Sequence, residues 1–215
     1  MKSITPQLES LQQAIEQTAP DSIIQQVNEA KKQFAVSFSQ STAIKVGDHL
    51  PRFRLQEAIG AEQTSTELLS QGPLIITFYR GEWCPFCNIA LAGLQRYYDE
   101  FKAKGASLVA ITPELPNSSL SMIEKHDLKF PVLTDSHNEY ARKLGIVWKQ
   151  PESLRPVYEA LGHDLQQRNG DKSFEVPIPA TLLVDKDGIV RDMYLNVDYF
   201  KRVEPKAVLE WIEAL

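Results

Sequence analysis

Two cysteines, Cys84 and Cys87, are the residues of this 215-residue chain whose type and spacing best suit chemistry. They are its only cysteines, and they lie within LIITFYRGEWCPFCNIALAGLQ, where a β-branched run predicts a strand before them and Pro85 suits a first helical turn. A helix start offers free N–H groups and partial positive charge, which both favour a thiolate. We therefore expect Cys84 to have a lowered pKa and act as nucleophile, and Cys87, one turn on and more buried, to act as resolving thiol.

Two other interpretations of the pair remain open. Two ordinary buried thiols would show the same spacing. A structural zinc site needs four ligands, and only two cysteines exist. The histidines lack metal-ligating spacing and are expected at the surface or in caps, so we predict no metal and no cofactor; they are His49, His126, His137 and His163.

Three residues immediately before the pair are further candidates. Arg80 could place a positive charge beside the thiol, or it could be exposed or salt-bridged. Glu82 could accept a proton from Cys87, or it could be a solvated charge. Trp83 is expected to pack beside the thiol rather than to react.

A second candidate region is the segment VPIPAT, directly before a predicted strand. Pro179 could be a cis-proline that faces the thiol pair, or an ordinary trans proline at a strand edge. The spacing leaves both open. We assign Pro179 and Thr181 to substrate positioning.

The rest of the chain predicts an α/β fold. Strands are predicted at 74–78, 107–112, 181–185 and 189–195, with helical patterns between the earlier ones and a hairpin turn at 186–188. Alternating strands and helices indicate βαβ units and a mostly parallel core. Residues 146–176 form an extra segment with one predicted amphipathic helix followed by a polar loop.

Residues 1–45 are predicted to be an N-terminal extension, separated by a turn-rich boundary from a domain over 46–215. Apolar spacing indicates two amphipathic helices that divide near Pro20. They either pack on the domain surface or serve as an arm for a dimer or another partner.

Composition excludes several classes of protein. The chain is 43% hydrophobic and 24% charged, which is typical of globular proteins, and its net charge of -5 argues against a nucleic-acid partner. Two cysteines cannot form a disulfide framework. The absence of a secretory signal and of a long apolar run favours a cytoplasmic protein with no membrane segment.

The motifs FYRGEWCPFC and PIPATLLVDKDG resemble those of thioredoxin-fold redoxins, and more narrowly the peroxiredoxin-like branch of the alkyl hydroperoxide reductase/thiol-specific antioxidant family. The resemblance covers about residues 44–215. It implies a thioredoxin-like fold with a mixed central sheet flanked by helices, and a helical insertion before a cis-Pro loop at Pro179. It also implies thiol-based reduction of peroxides or disulfides. By analogy with peroxiredoxins, the resemblance favours a homodimer.

The chain departs from that family at two places. Peroxiredoxins carry Pro-x-x-x-Thr-x-x-Cys, but here Gly81 lies three positions before Cys84 and Thr77 lies seven before it. They also carry an arginine before the final strand, where this chain has Pro179. In the family, that threonine and arginine hold and polarise the peroxide. Without them, this chain would need other groups to activate a peroxide.

Three functions follow as hypotheses. In the first, Cys84 reduces a hydroperoxide, becomes a sulfenic acid and is resolved by Cys87, and a thioredoxin- or glutathione-type dithiol donor recycles the disulfide. The second is a general thiol–disulfide oxidoreductase. The third is a non-catalytic redox sensor or binding module.

Overall fold

A mixed β-sheet forms the centre of the computed structural model, which describes residues 2–215. The strands are β1 (Arg54–Glu57), β2 (Glu62–Thr64), β3 (Leu74–Phe78), β4 (Ser107–Thr112), β5 (Val132–Thr134), β6 (Val147–Lys149), β7 (Glu175–Pro177), β8 (Ala180–Val184) and β9 (Val190–Leu195). The strand order in the central sheet is β2-β1-β5-β4-β3-β8-β9, and β6 and β7 form a separate antiparallel pair.

The middle of the sheet is apolar on both faces. Every residue of β3 and β8 is buried, and β3 pairs in parallel with β4 and antiparallel with β8. Continuous apolar runs suit strands that are covered on both faces. The mixed sheet flanked by helices confirms the predicted α/β, thioredoxin-like architecture.

Helices cover the sheet and connect its strands. They are α1 (Thr5–Thr18), α2 (Asp21–Ser37), α3 (Ser65–Ser70), α4 (Pro85–Ala103), α5 (Pro116–His126), α6 (Glu139–Lys143), α7 (Arg155–Ala160), α8 (Leu165–Asn169) and α9 (Pro205–Glu213). Short 3₁₀ turns occupy Gln40–Thr42, Ser136–Asn138 and Glu152–Leu154. Over residues 2–215, none of these helices combines the length and the apolar character needed to cross a membrane.

The N-terminal helices α1 and α2 dock on the rest of the chain. Leu8 and Phe34 are buried in the common core, and the Phe34 ring stacks on Trp148 with centroids 4.9 Å apart. The Glu204 carboxylate accepts a 2.8 Å hydrogen bond from the Thr5 N–H and so caps the start of α1. Apolar packing and a cap therefore hold the helix pair in place.

The inserted segment is more divided than its sequence predicts. In place of one long helix, α7 and α8 are separate, and β6 and β7 bracket them. The break falls where Gly162 adopts a φ of +77° and the Asp164 carboxylate caps α8 through a 2.9 Å bond from the Gln167 N–H.

The peptide bond before Pro179 is trans, as are all the others over residues 2–215. The cis-proline implied by the family resemblance is therefore wrong for this chain. The backbone runs extended from β7 towards β8, and the Ile178 N–H donates to the Ile146 carbonyl at 2.7 Å. A trans bond continues this extended path between the two sheets.

Candidate active site

Cys84 is the N-cap residue of α4, and Pro85 is its first helical residue. The Cys84 carbonyl accepts hydrogen bonds from the N–H groups of Cys87 at 2.9 Å and Asn88 at 3.1 Å, which starts the helix. The predicted position of the pair at a strand-to-helix turn is confirmed. The expected difference in burial is not seen, because Cys84 is 1% exposed and Cys87 is fully buried.

The pKa values of the two thiols shift in the opposite sense to the prediction. Burial raises the pKa of Cys84, and the hydrogen bond that its thiol donates to Cys87 raises it further. Burial also opposes ionisation of Cys87, but this same hydrogen bond and the charge of Arg202 outweigh it, so the pKa of Cys87 is lowered. The lowered pKa predicted for Cys84 therefore falls on Cys87 instead.

Arg80 is a buried cation beside Cys84. It is only 1% exposed, and its Nη1 lies 3.9 Å from the Cys84 sulfur. Its Nη2 donates to Gln150 Oε1 at 3.2 Å and to the Tyr158 hydroxyl, and its Cζ lies 3.9 Å from the Tyr199 ring centroid. All of these partners are neutral groups, and its Nε has none. The guanidinium is therefore free to stabilise negative charge at the sulfur.

Arg202 is a second cation at the site, and sequence reasoning missed it. It follows β9 in a loop, and its Nη2 lies 3.4 Å from the Cys87 sulfur. Another nitrogen, Nη1, donates to the Lys201 carbonyl at 2.8 Å. No spacing or periodicity links Arg202 to the cysteines along the chain, so only the fold reveals it.

Arg202→Gln is expected to raise the pKa of the first thiol ionisation by about one unit, because an opposite charge this close favours the thiolate. The measurement is thiolate absorbance against pH in the reduced protein. Arg54→Gln is the control, since Arg54 pairs with Glu62 in an exposed hairpin. Equal titration curves for Arg202→Gln and Arg54→Gln would contradict the assignment.

Gly81 determines how the loop before Cys84 packs. A Cβ at this position would lie 2.3 Å from Trp83 Nε1 and 2.9 Å from Glu114 Cδ, and φ is +151°. Only glycine leaves room for both neighbours. The Trp83 ring packs against Arg80, whose Cζ lies 4.6 Å from its centroid, and against the edge-on Tyr158 ring at 5.0 Å.

The buried carboxyl group of Glu114 binds the backbone of the loop that precedes Cys84. Glu114, just beyond β4, accepts a 2.6 Å hydrogen bond from the Glu82 N–H and lies 3.3 Å from Arg168 Nη1. The Glu82 carboxylate pairs with Lys125 at 3.2 Å and with Arg168 at 3.4 Å. Among the described hydrogen bonds, none joins the Glu82 side chain to Cys87, so the structure does not bring these two candidates together.

The stability of the protein is expected to fall with rising pH because of Glu114. Burial raises its pKa from 4.5 to about 7, against the opposing hydrogen bond from the Glu82 N–H and the charge of Arg168. Between these two pKa values the folded state holds a proton that the unfolded state has lost, so the free energy of unfolding declines as pH rises from 4.5 to 7. The loss is at most about 3 kcal/mol.

Glu114→Gln should remove this decline while keeping an acceptor for the Glu82 N–H. Urea unfolding at a series of pH values measures it, with Glu16→Gln in the exposed part of α1 as control. Parallel pH profiles for wild type and Glu114→Gln would sink the prediction.

Pro179 and Thr181 lie on the Cys87 side of the pair. Together with Cys87 and Arg202 they line a cavity of about 10 Å³, no more than the space for one water molecule. The Thr181 hydroxyl lies 3.1 Å from the Thr77 hydroxyl across β3 and β8. These two residues therefore adjoin Cys87, whereas Arg80 and Trp83 adjoin Cys84.

No group of three or more His, Cys, Asp or Glu side chains is arranged to hold a metal within residues 2–215. The chemistry in this site is that of two thiols between two arginines. A buried dithiol at the strand-to-helix turn of a thioredoxin-like sheet defines a thiol-dependent oxidoreductase.

Comparison with known proteins gives the family. The AhpC/TSA family model matches residues 46–193, more than half of the chain, and the chain belongs to that family. Peroxiredoxin Bcp of Escherichia coli is 25% identical over 171 residues, covering 79% of this chain and 96% of that protein. The thiol-disulfide oxidoreductase ResA of Bacillus cereus is 22% identical and covers 71% of each chain.

Among solved structures, peroxidoxin BcpB from Mycobacterium tuberculosis superposes with a TM-score of 0.62 at 21% identity, covering 80% of this chain and 98% of that one. This likeness supports the fold. The match to the AhpC/TSA family makes the chain an antioxidant oxidoreductase of the peroxiredoxin type.

Proposed function

We propose that this protein reduces hydroperoxides through Cys84, with Cys87 as the resolving thiol. The observation that carries the proposal is the buried guanidinium of Arg80, 3.9 Å from the Cys84 sulfur and without a carboxylate partner. It supplies positive charge on the side of the site where the family's threonine is missing. Preorganised charge of this kind stabilises the negative charge that develops on the peroxide oxygens.

Cys87 lies one helical turn from Cys84, so it can take the Cys84 proton in the first step. The Cys84 sulfur attacks the terminal oxygen of the hydroperoxide as its proton passes to the Cys87 thiolate. An S–O bond forms, the O–O bond breaks, and two electrons pass from sulfur to the leaving alkoxide, which takes a proton from solvent. Cys84 becomes a sulfenic acid, and Cys87 is a thiol.

The second step forms the only disulfide available within one chain. Cys87 attacks the Cys84 sulfur, an S–S bond forms, the S–O bond breaks, and water leaves with the Cys87 proton. A dithiol donor of the thioredoxin or glutathione type then reduces the disulfide and is itself oxidised. The cycle requires resting thiols, which a reducing cytoplasm supplies.

Thiol–disulfide exchange is a second candidate function. The arrangement Trp-Cys-x-x-Cys favours it, and the ResA relative is named for that activity. In this alternative Cys84 attacks a substrate disulfide, and Cys87 releases the mixed disulfide.

Stopped-flow oxidation of the reduced protein separates the two functions. Hydrogen peroxide and cumene hydroperoxide are compared with oxidised glutathione and a protein disulfide, with free cysteine as reference. We expect a peroxide rate at least about a hundredfold above that of free cysteine, the effect of one well-placed electrostatic group. A peroxide rate near that of free cysteine with rapid disulfide exchange would replace the proposal by the alternative.

A further inference from the structure

An apolar cavity beside Cys84 is partly built by the N-terminal helices. It has a volume of about 560 Å³, within the range of small-molecule sites. Cys84 and Arg80 lie in its wall, and Trp83 and Phe86 flank them. The thiol proposed to react therefore faces this cavity rather than the small one beside Cys87.

The opposite wall comes from the helix pair. Leu11 and Ile15 of α1 and Ile23 and Val27 of α2 line it as half-buried apolar side chains. Both helices lie outside the family-matched region 46–193. They are fixed in place, since Lys31 pairs with Asp198 at 2.8 Å and its Nζ lies 3.8 Å from the Phe200 ring centroid.

The inserted segment closes the remaining side with apolar residues. Val157 and Leu161 line the cavity, and Leu161 is 60% exposed at its edge. Polar side chains also border the cavity, among them Gln12, Glu16, Thr18, Asn28 and His163, but most of the exposed lining surface is apolar, and Arg80 is the arginine in its wall. A space with apolar walls and one cationic end suits a molecule with an apolar body and one polar, electron-rich end.

We propose that α1 and α2 are a specificity element that selects hydroperoxides with a bulky apolar body over hydrogen peroxide. The inference rests on the proposed function, because the peroxide end must reach Cys84 and Arg80. The body of the substrate lies against Ile23 and Val27, where burial of its carbon atoms adds binding that hydrogen peroxide cannot obtain. The chemical step is unchanged by the selection.

The test is a size series of second-order rate constants for the reduced protein. The probes are hydrogen peroxide, tert-butyl hydroperoxide and cumene hydroperoxide, and the quantity compared is the ratio of the cumene rate to the hydrogen peroxide rate. We expect this ratio to be at least about ten in the wild type, as a few buried methylene groups provide. Val27→Asn should lower it about tenfold by placing a polar group in the wall.

Val36→Asn is the matched control, because Val36 lies on the same helix and is 83% exposed. It should keep the wild-type ratio. Val27→Ala, which only enlarges the cavity, replaces Val27→Asn if the latter does not fold, and should also lower the ratio.

The outcomes are distinct. Rapid reduction of all three probes with no preference for size, or a Val27 variant that keeps the wild-type ratio, would overturn the specificity role and leave the proposed function standing. No reaction with any hydroperoxide would overturn the proposed function itself.

Discussion

Cys84→Ser is expected to abolish reaction with hydroperoxides, whereas Cys87→Ser should react once and then stop. A serine hydroxyl does not ionise near neutral pH and cannot replace the sulfur that faces the apolar cavity. In Cys87→Ser the sulfenic acid has no thiol to condense with, so it should persist and be trapped by a sulfenic-acid reagent. Mass spectrometry of the trapped adduct and turnover with a dithiol donor measure the two effects.

The double variant lacking both thiols is the control for adventitious oxidation. If Cys84→Ser reduced hydroperoxide and Cys87→Ser did not, the roles of the two cysteines would be exchanged. This comparison is necessary because the two criteria for the attacking thiol point to different residues. The lowered pKa favours Cys87 as the nucleophile, whereas the position of Cys84 in the wall of the apolar cavity favours Cys84.

Arg80→Met is expected to slow peroxide reduction by about a hundredfold to a thousandfold, the usual effect of removing one preorganised electrostatic group. Methionine keeps much of the buried length of the side chain but carries no charge. Arg80→Lys should recover part of the rate, which a purely structural role for Arg80 does not predict. Stopped-flow kinetics against pH measure both, with Arg54→Met in the exposed β1–β2 hairpin as control.

The same Arg80→Met variant should be at least as stable as the wild type. A buried guanidinium that pairs with no carboxylate among residues 2–215 carries a desolvation cost, and its removal leaves no buried acceptor unpaired. The Tyr158 hydroxyl still donates to Gln150 Oε1 at 2.5 Å after the guanidinium is gone. A variant that lost activity and stability together would indicate that Arg80 acts by holding the fold.

Local signals predict the reactive pair well. The β-branched run ends at Phe78, as predicted, and Cys84 and Pro85 occupy the N-cap and first helical positions that their residue types favour. These features depend on neighbours a few residues apart. For the same reason the strand at 107–112 has the predicted bounds.

The electrostatics of the site could not be predicted in this way. Arg202 and Glu114 reach the loop from elements distant in sequence, through contacts that only the folded sheet creates. The order of ionisation depends on which thiol donates to the other, a matter of side-chain geometry. Arg80 is fully enclosed although its residue type favours the surface, so its sequence alone left an exposed position open.

Gly81 bears on how this site could have diverged within its family. Threonine occupies this position in the family's motif, but here any side chain would collide with the indole of Trp83 and the carboxyl group of Glu114. A Gly81→Thr substitution alone would therefore disturb the packing of the loop. Its effect would depend on accompanying changes at Trp83 and Glu114, so the three positions are energetically coupled.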